Sequence, residues 1–476
     1  MVVLRENKTD IIKNIALDEK FDRPDFKGRY GLAVDIGTTT VAAGIFDLFD
    51  GSCIDSTSEK NRQCSLGSDV IMRMMHACNG RADELHDMII SQIEEIAERL
   101  CSQVCKITDL CKISIVGNTA MCHLFLGENV RGLAKAPFTV SYEGSVSCLG
   151  KDCGFKMFPD ADIYVMSGVA SHVGADAVSF FCVGGADCRD KNILAIDIGT
   201  NAEIILGCHG TVCACSAAAG PAFEGRGISC GSPARSGVIS GVKISRGSGN
   251  IILDIITEAG ENNMSSNFRK VNRQGMIPNG ICGSGLIDLI AELRRHGFLN
   301  EDGYLYGRGD VENNSTCKKF CGNLVDRNGE HCFMLYNGDN VSKEIYISQS
   351  DIRNFQLAKA AIQAGAGCLM RETGIGIEDL DEVIIGGMFG SYMSKKSAVL
   401  LGLFPDMSHE KIKLSGNPAG TGAAKALFDK EFREITEKRA LQIRHVELAD
   451  KEEFEKEFMD AMQLKPWTQG NRLKRL

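Results

Sequence analysis

The sequence predicts an α/β fold built from two duplicated halves that face each other across a cleft. The run Leu32-Ala-Val-Asp-Ile-Gly-Thr38 recurs almost letter for letter as Leu194-Ala-Ile-Asp-Ile-Gly-Thr200, each copy ending an apolar, strand-like stretch. Asp35 and Asp197 are 197 − 35 = 162 residues apart, the length of a domain repeat and too long for a solenoid period. Each copy is also followed by two further strand-like runs separated by turn residues, so an entire opening unit is repeated.

The first unit reads βββαβα. After Asp35 come strands at 41–46 and near 53–56, joined by the turn-forming Asp50-Gly51. A helix is expected over 82–104, because Leu85, Met88, Ile89, Ile93, Ile96 and Leu100 recur at three- and four-residue steps and form one apolar stripe. A strand at 112–116 ends in Gly117-Asn118-Thr119, ahead of an apolar helix start. The second unit opens with strands at 193–198, 203–206 and 212–215, with His209-Gly210 as a turn. Residues 241–349 read as an insertion with one helical stretch at 284–296. A helix at 351–371, with Asp351 near its start, shows Ile352, Phe355, Ala358, Ile362 and Leu369 on one face and should pack on the second sheet. Strands at 382–385 and 412–414 each enter a glycine-rich turn. A strand at 442–448, a helix at 451–462 and a loose tail beyond Pro466 complete the reading. The expected domains are therefore an N-terminal extension (1–30), a first domain (31–190), a second domain (191–430) carrying the insertion, and a C-terminal strand, helix and tail (431–476).

With 44% hydrophobic and 24% charged residues in 476, the chain is globular and long enough for more than one core. A formal charge of −9 argues against a nucleic-acid surface, which needs clustered Lys and Arg, and the short basic run at 472–475 does not alter that. No apolar run is long enough to span a membrane, and the first thirty residues lack a secretory signal pattern. No nucleic-acid or membrane partner is expected, and the expected compartment is the cytoplasm. The 20 cysteines then read as reduced thiols rather than a disulfide scaffold.

Asp35, Gly37, Thr38, Thr39 and Thr40 form the first candidate phosphate loop: the glycine admits close backbone approach, while hydroxyl and amide groups donate to anionic oxygens. Asp197, Gly199, Thr200, Asn201 and Glu203 form the second. Magnesium prefers carboxylates, waters and phosphate oxygens, so Asp35 and Asp197 are expected to hold Mg2+ mostly through water. One of them, or Glu203, would orient an attacking water. Gly386, Gly387 and Gly390 would let a purine lie against backbone, with Met388 or Phe389 at its edge. Ser216, Pro221, Glu224, Ser229 and Cys230 lie in a glycine-rich stretch that either meets a ligand or packs the interface between the halves. Asp176, in the stretch that also carries His172, is expected to line the cleft.

In their order along the chain, these loops resemble the actin, sugar-kinase and heat-shock-chaperone ATPase superfamily. Gly117-Asn118-Thr119-Ala120-Met121, Ala136-Pro137-Phe138-Thr139, the run from Ala218 to Gly225, Gly280-Ile281-Cys282-Gly283-Ser284-Gly285 and Gly416-Asn417-Pro418-Ala419-Gly420 narrow the likeness to the ATPase domain of reductive activators of corrinoid proteins. The resemblance implies two ribonuclease-H-like domains (the actin-like ATPase fold), ATP and Mg2+ as ligands, and a corrinoid methyl-transfer protein as partner, with a homodimer as an assembly it allows. Its implied role is to help return oxidised Co(II) to Co(I), using ATP. Each deficit of about 100 mV in such a reduction costs about 2.3 kcal/mol per electron, which nucleotide-driven closure would cover.

The chain departs from that pattern in its cysteines. Such activators usually carry an iron–sulfur module, yet no Cys-x-x-Cys occurs, and no cysteine lies before Gly31 or after Cys368. No iron–sulfur cluster is therefore expected in this chain, and a separate iron–sulfur protein is the expected electron donor. Cys317, Cys321 and Cys332, then Cys101, Cys105 and Cys111, are the nearest approach to ligand clusters, and plain thiols are the reading adopted. The same clamp also serves small-molecule kinases acting on sugars or carboxylates, and nucleotide-switched binding proteins without a redox role.

Overall fold

The computed structural model describes residues 29–184, 190–245, 250–257, 277–311, 317–338, 344–387 and 393–468. The N-terminal extension and the basic run at 472–475 thus lie almost wholly outside the described residues.

Two six-stranded sheets organise the chain. The first holds β1 (Tyr30–Ile36), β2 (Thr40–Asp47), β3 (Cys53–Lys60), β4 (Leu110–Gly117), β5 (Val146–Leu149) and β6 (Asp162–Val165), in the order β3-β2-β1-β4-β6-β5. The second opens with β7 (Ile193–Ile198), β8 (Ala202–Cys208) and β9 (Thr211–Ala217). Within the expected insertion lie a β10–β11 hairpin (Ile239–Ser245, Asn250–Ile255), helix Gly283–His296, and a three-stranded sheet of β12 (Leu324–Arg327), β13 (Glu330–Tyr336) and β14 (Ile345–Ser348). Then β15 (Glu382–Gly386), β16 (Ile412–Leu414) and β17 (Ile443–His445) return to the second sheet, giving β16-β15-β7-β8-β9-β17.

Both sheets share one pattern. The first strand pairs antiparallel with the second and parallel with the fourth, β1 with β2 and β4, β7 with β8 and β15. The central strands are buried on both faces, which is why they read as continuous apolar runs rather than alternating ones. The sheets differ at their edges. β5 extends the first beyond β6 in antiparallel fashion, and β17 extends the second beyond β9 in parallel.

Helix Ala82–Cys101 buries Leu85, Ile89, Ile93, Ile96 and Leu100 as the stripe predicted, and ends three residues early. Helix Gln349–Thr373 starts at a Ser348–Asp351 capping box and ends at left-handed Gly374. It packs on β8 and β9 as expected. The C-terminal strand is only three residues long, because Val446 and the residues after it turn into a short 3₁₀ segment. Contrary to expectation, the tail is anchored through residue 468: Trp467 is buried, and its carbonyl accepts from the Asp406 amide at 3.0 Å.

Two helices are exchanged between the halves. Helix Ala175–Val183 ends the first half in sequence, yet Ala177, Val178, Phe180 and Phe181 are buried with Ile193, Ala195, Ile205 and Ile384 of the second sheet. Helix Pro418–Phe428 follows the second sheet, yet Ala419, Ala423, Ala424, Ala426 and Leu427 complete the core of the first. Where they cross, Ser179 Oγ donates to the Ala419 carbonyl at 3.0 Å. A Cβ on Gly422 would lie 1.8 Å from that hydroxyl, so only glycine admits the crossing. Among the described residues no helix is long and apolar enough to cross a membrane.

Candidate nucleotide site between the two sheets

Both candidate phosphate loops leave the ends of the equivalent strands β1 and β7. In the first, the Gly37 amide donates to the Thr40 carbonyl at 2.9 Å; in the second, the Gly199 amide donates to the Asn201 carbonyl at 2.9 Å. The second hairpin is one residue tighter, and that shift changes the chemistry beside each aspartate. Asp35 faces Ala42 across β1 and β2, whereas Asp197 faces Glu203 across β7 and β8 and Gly386 across β7 and β15.

The first loop is braced from below. Asn118 caps helix Thr119–Leu126 through its side-chain oxygen, and its amide donates to Thr38 Oγ1 at 2.9 Å. Asn61 Nδ2 donates to the Gly37 carbonyl at 2.9 Å. Arg73, fully buried on helix Val70–His76, donates to the Thr38 carbonyl.

Four carboxylates gather on the floor of the cleft. Burial pushes Asp35 and Asp197 up to about 7; the charge of Asp176 adds to both shifts and that of Asp35 to Asp197, while the Asn417 hydrogen bond opposes the rise at Asp35. Asp176, in the first turn of helix Ala175–Val183, rises to about 6 through burial. Glu203 is raised well above the ordinary carboxylate range by burial and by the charges of Asp176 and Asp197. Ser216 Oγ donates to it at 3.3 Å. Asp176 thus joins the cleft as expected, while His172 packs edge-on against Phe138 at 4.9 Å.

Asn417 was visible in the sequence only as part of a family motif. Its oxygen caps helix Pro418–Phe428, and its Nδ2 donates to Asp35 Oδ2 at 2.8 Å, tying the exchanged helix to the first phosphate loop. Glu224 resolves the glycine-rich stretch as a link between the halves: its carboxylate accepts from Thr39 at 3.3 Å and from Thr200 at 2.9 Å. Gly387 sits at φ +104°, and a Cβ there would lie 2.4 Å from the Ile198 carbonyl. Met388, Phe389 and Gly390 lie outside the described residues.

Among the described residues no group of three or more His, Cys, Asp or Glu is gathered to hold a metal ion directly. Cys101 is held up to about 12 by burial and its neighbour Cys105; the Cys317 side chain is outside the described residues.

Paired sheets of this topology, each with an aspartate at the end of its first strand and a hydroxyl-bearing loop beside it, define the actin-like ATPase class. Residues 191–474 match the family model described as the C-terminal domain of RACo, the ASKHA domain, and residues 30–187 match the RACo middle region. The chain belongs to the RACo family.

It is 34% identical over 437 residues to the corrinoid activation enzyme RamQ of Eubacterium limosum, covering 90% of this chain and 69% of the relative. It is 26% identical over 458 residues to the [Co(II) methylated amine-specific corrinoid protein] reductase of Methanosarcina barkeri, covering 93% and 78%. A solved structure of a reductive activator for corrinoid, iron–sulfur protein superposes with a TM-score of 0.79 at 32% identity, covering 92% of this chain and 67% of that one.

Proposed function

We propose that this protein is an ATP-dependent reductive activator of a corrinoid methyl-transfer protein. It would use ATP binding and hydrolysis to let an electron from a separate iron–sulfur protein convert Co(II) to Co(I). The observation that carries this reading is the bridge at Glu224, which joins Thr39 of one phosphate loop to Thr200 of the other in a chain of this family. A ligand that enters between those hydroxyls must change how the halves meet, and domain movement is what a protein substrate can feel.

In this reading Gly37, Thr38, Thr39, Thr40, Gly199, Thr200 and Asn201 receive the phosphates. Gly386 and Gly387 shape the adenosine side. The acid cluster fits a hard divalent cation: Asp35 and Asp197 are buried carboxylates with no basic partner behind their shifts, and such a site favours Mg2+ held through water. That ion would neutralise phosphate charge. Asp176 or Glu203, raised toward neutrality, would hold or accept the proton of the attacking water.

The test is product analysis after incubation with ATP, reductant, an iron–sulfur donor and candidate corrinoid proteins. ADP with inorganic phosphate, formed together with Co(I), supports the reading. A phosphorylated small-molecule acceptor in stoichiometric yield overturns it in favour of a kinase.

A further inference from the structure

Among the described residues Arg73 is a buried cation that forms no ion pair with an acid. It lies on the inner face of the seven-residue helix Val70–His76 and is fully buried. Its guanidinium donates to the Thr38 and Gly67 carbonyls, to Gln63 Oε1 at 3.3 Å, and to the sulfur atoms of Cys64 and Met121 at 3.1 Å each. All of these partners are formally neutral. The nearest acid in sequence, Asp69, is half-buried; it favours the Arg73 charge from a distance but makes no hydrogen bond to it, and instead caps the helix by accepting from the Met72 amide at 2.9 Å. The cleft carboxylates owe their raised values to burial and to one another, with no contribution from Arg73.

A second cation makes the imbalance worse. Arg226, two residues beyond Glu224 and so from the other half of the chain, contributes a like charge that disfavours the Arg73 guanidinium. A buried charge without a counter-ion is costly, and buried charges are as a rule paired or hydrogen-bonded, so an anion bound beside this one would relieve the cost. The Thr38 carbonyl that Arg73 holds belongs to the first phosphate loop, which places the guanidinium directly behind the position an anion would take.

We infer that Arg73 is a positioning residue that fixes the first phosphate loop and supplies positive charge that the phosphates of a nucleoside di- or triphosphate neutralise. This rests on the nucleotide reading of the cleft. It goes beyond that reading by assigning phosphate recognition to a side chain that lies beneath the loop. It also explains why the seven-residue helix carries an arginine inward, where an apolar residue would pack at lower cost.

The experiment is calorimetric titration of the full chain with adenosine, ADP and a non-hydrolysable ATP analogue. It compares the wild type with Arg73→Gln, Arg73→Met and Arg73→Lys; two neutral variants guard against one failing to fold. Both neutral variants should lose about tenfold or more in ADP and ATP-analogue affinity and leave adenosine affinity unchanged, while Arg73→Lys should keep most of the wild-type ADP and ATP-analogue affinity. Equal losses for adenosine and ADP, or equal losses in the lysine and neutral variants, would reduce Arg73 to a scaffold and overturn the inference. A wild type that binds ADP no better than adenosine would instead remove the nucleotide reading itself, so the two failures are distinguishable.

Discussion

Thr39 and Thr200, 161 residues apart and on opposite phosphate loops, are joined through one carboxylate: Glu224 accepts from Thr200 at 2.9 Å and from Thr39 at 3.3 Å. The duplicated sequence therefore closes on itself through a residue outside the duplication. In Glu224→Ala, amide exchange in the nucleotide-free protein should quicken in both loops together, with about 1 kcal/mol lost from their local stability. Faster exchange in one loop alone would mean that the carboxylate does not couple the halves.

The acid cluster sets a pH dependence with a definite sign. Asp35 and Asp197 sit at about 7 and Asp176 at about 6, all above the value of 3.8 from which they are raised. The folded state therefore binds protons that the unfolded state releases. Their stabilising contribution is complete below about pH 4 and is lost as pH rises through about 7. Without nucleotide or magnesium, Asp35→Asn and Asp197→Asn should be more stable than the wild type by about 1–2 kcal/mol near pH 8. The gap should shrink toward about pH 5. Urea denaturation across that range measures it, and a gap that widens on acidification would contradict the electrostatic account.

Gly387 tests the adenosine side. Its φ of +104° and the 2.4 Å approach to the Ile198 carbonyl leave no room for a side chain. Gly387→Ala should cost about 2 kcal/mol or more and weaken binding of adenosine as well as ADP, which separates it from the arginine variants. Unchanged adenosine affinity would place the base elsewhere.

The helix crossing is expected to govern how the halves move. Gly422→Ala drives a Cβ to within 1.8 Å of Ser179 Oγ and should cost about 1–3 kcal/mol. Adding Ser179→Ala should return part of it, since the two sites touch. Purely additive effects in thermal melts would show that the crossing is not tightly packed.

Much of this was legible in the sequence, and particular residues show why the rest was not. β7 falls at Ile193–Ile198 and β16 at Ile412–Leu414, as read, because each is a short apolar run bounded by turn residues. β5 and β6 were missed: four residues each carry too little periodicity to separate from a loop. Helix Lys430–Gln442 was also missed, since it buries only Phe432, Thr436 and Ala440 and shows a weak stripe. In the cleft, the two aspartates announced themselves by repetition, and Glu203 by its place in the second loop. Asn417 and Arg73 did not, because their importance arises from contacts with residues 382 and 35 positions away. The exchanged helices were invisible for the same reason: their apolar faces are plain in sequence, but not which sheet they cover.

The most direct test of the central claim is visible spectroscopy of the corrinoid protein's cobalt, in the presence of reductant and an iron–sulfur donor, with ATP or ADP and with wild type or Asp197→Ala. Co(I) should accumulate only with wild type and ATP, and Co(II) should be retained in the other three mixtures. Equal Co(I) formation with ADP, or with the folded Asp197→Ala protein, would contradict that claim.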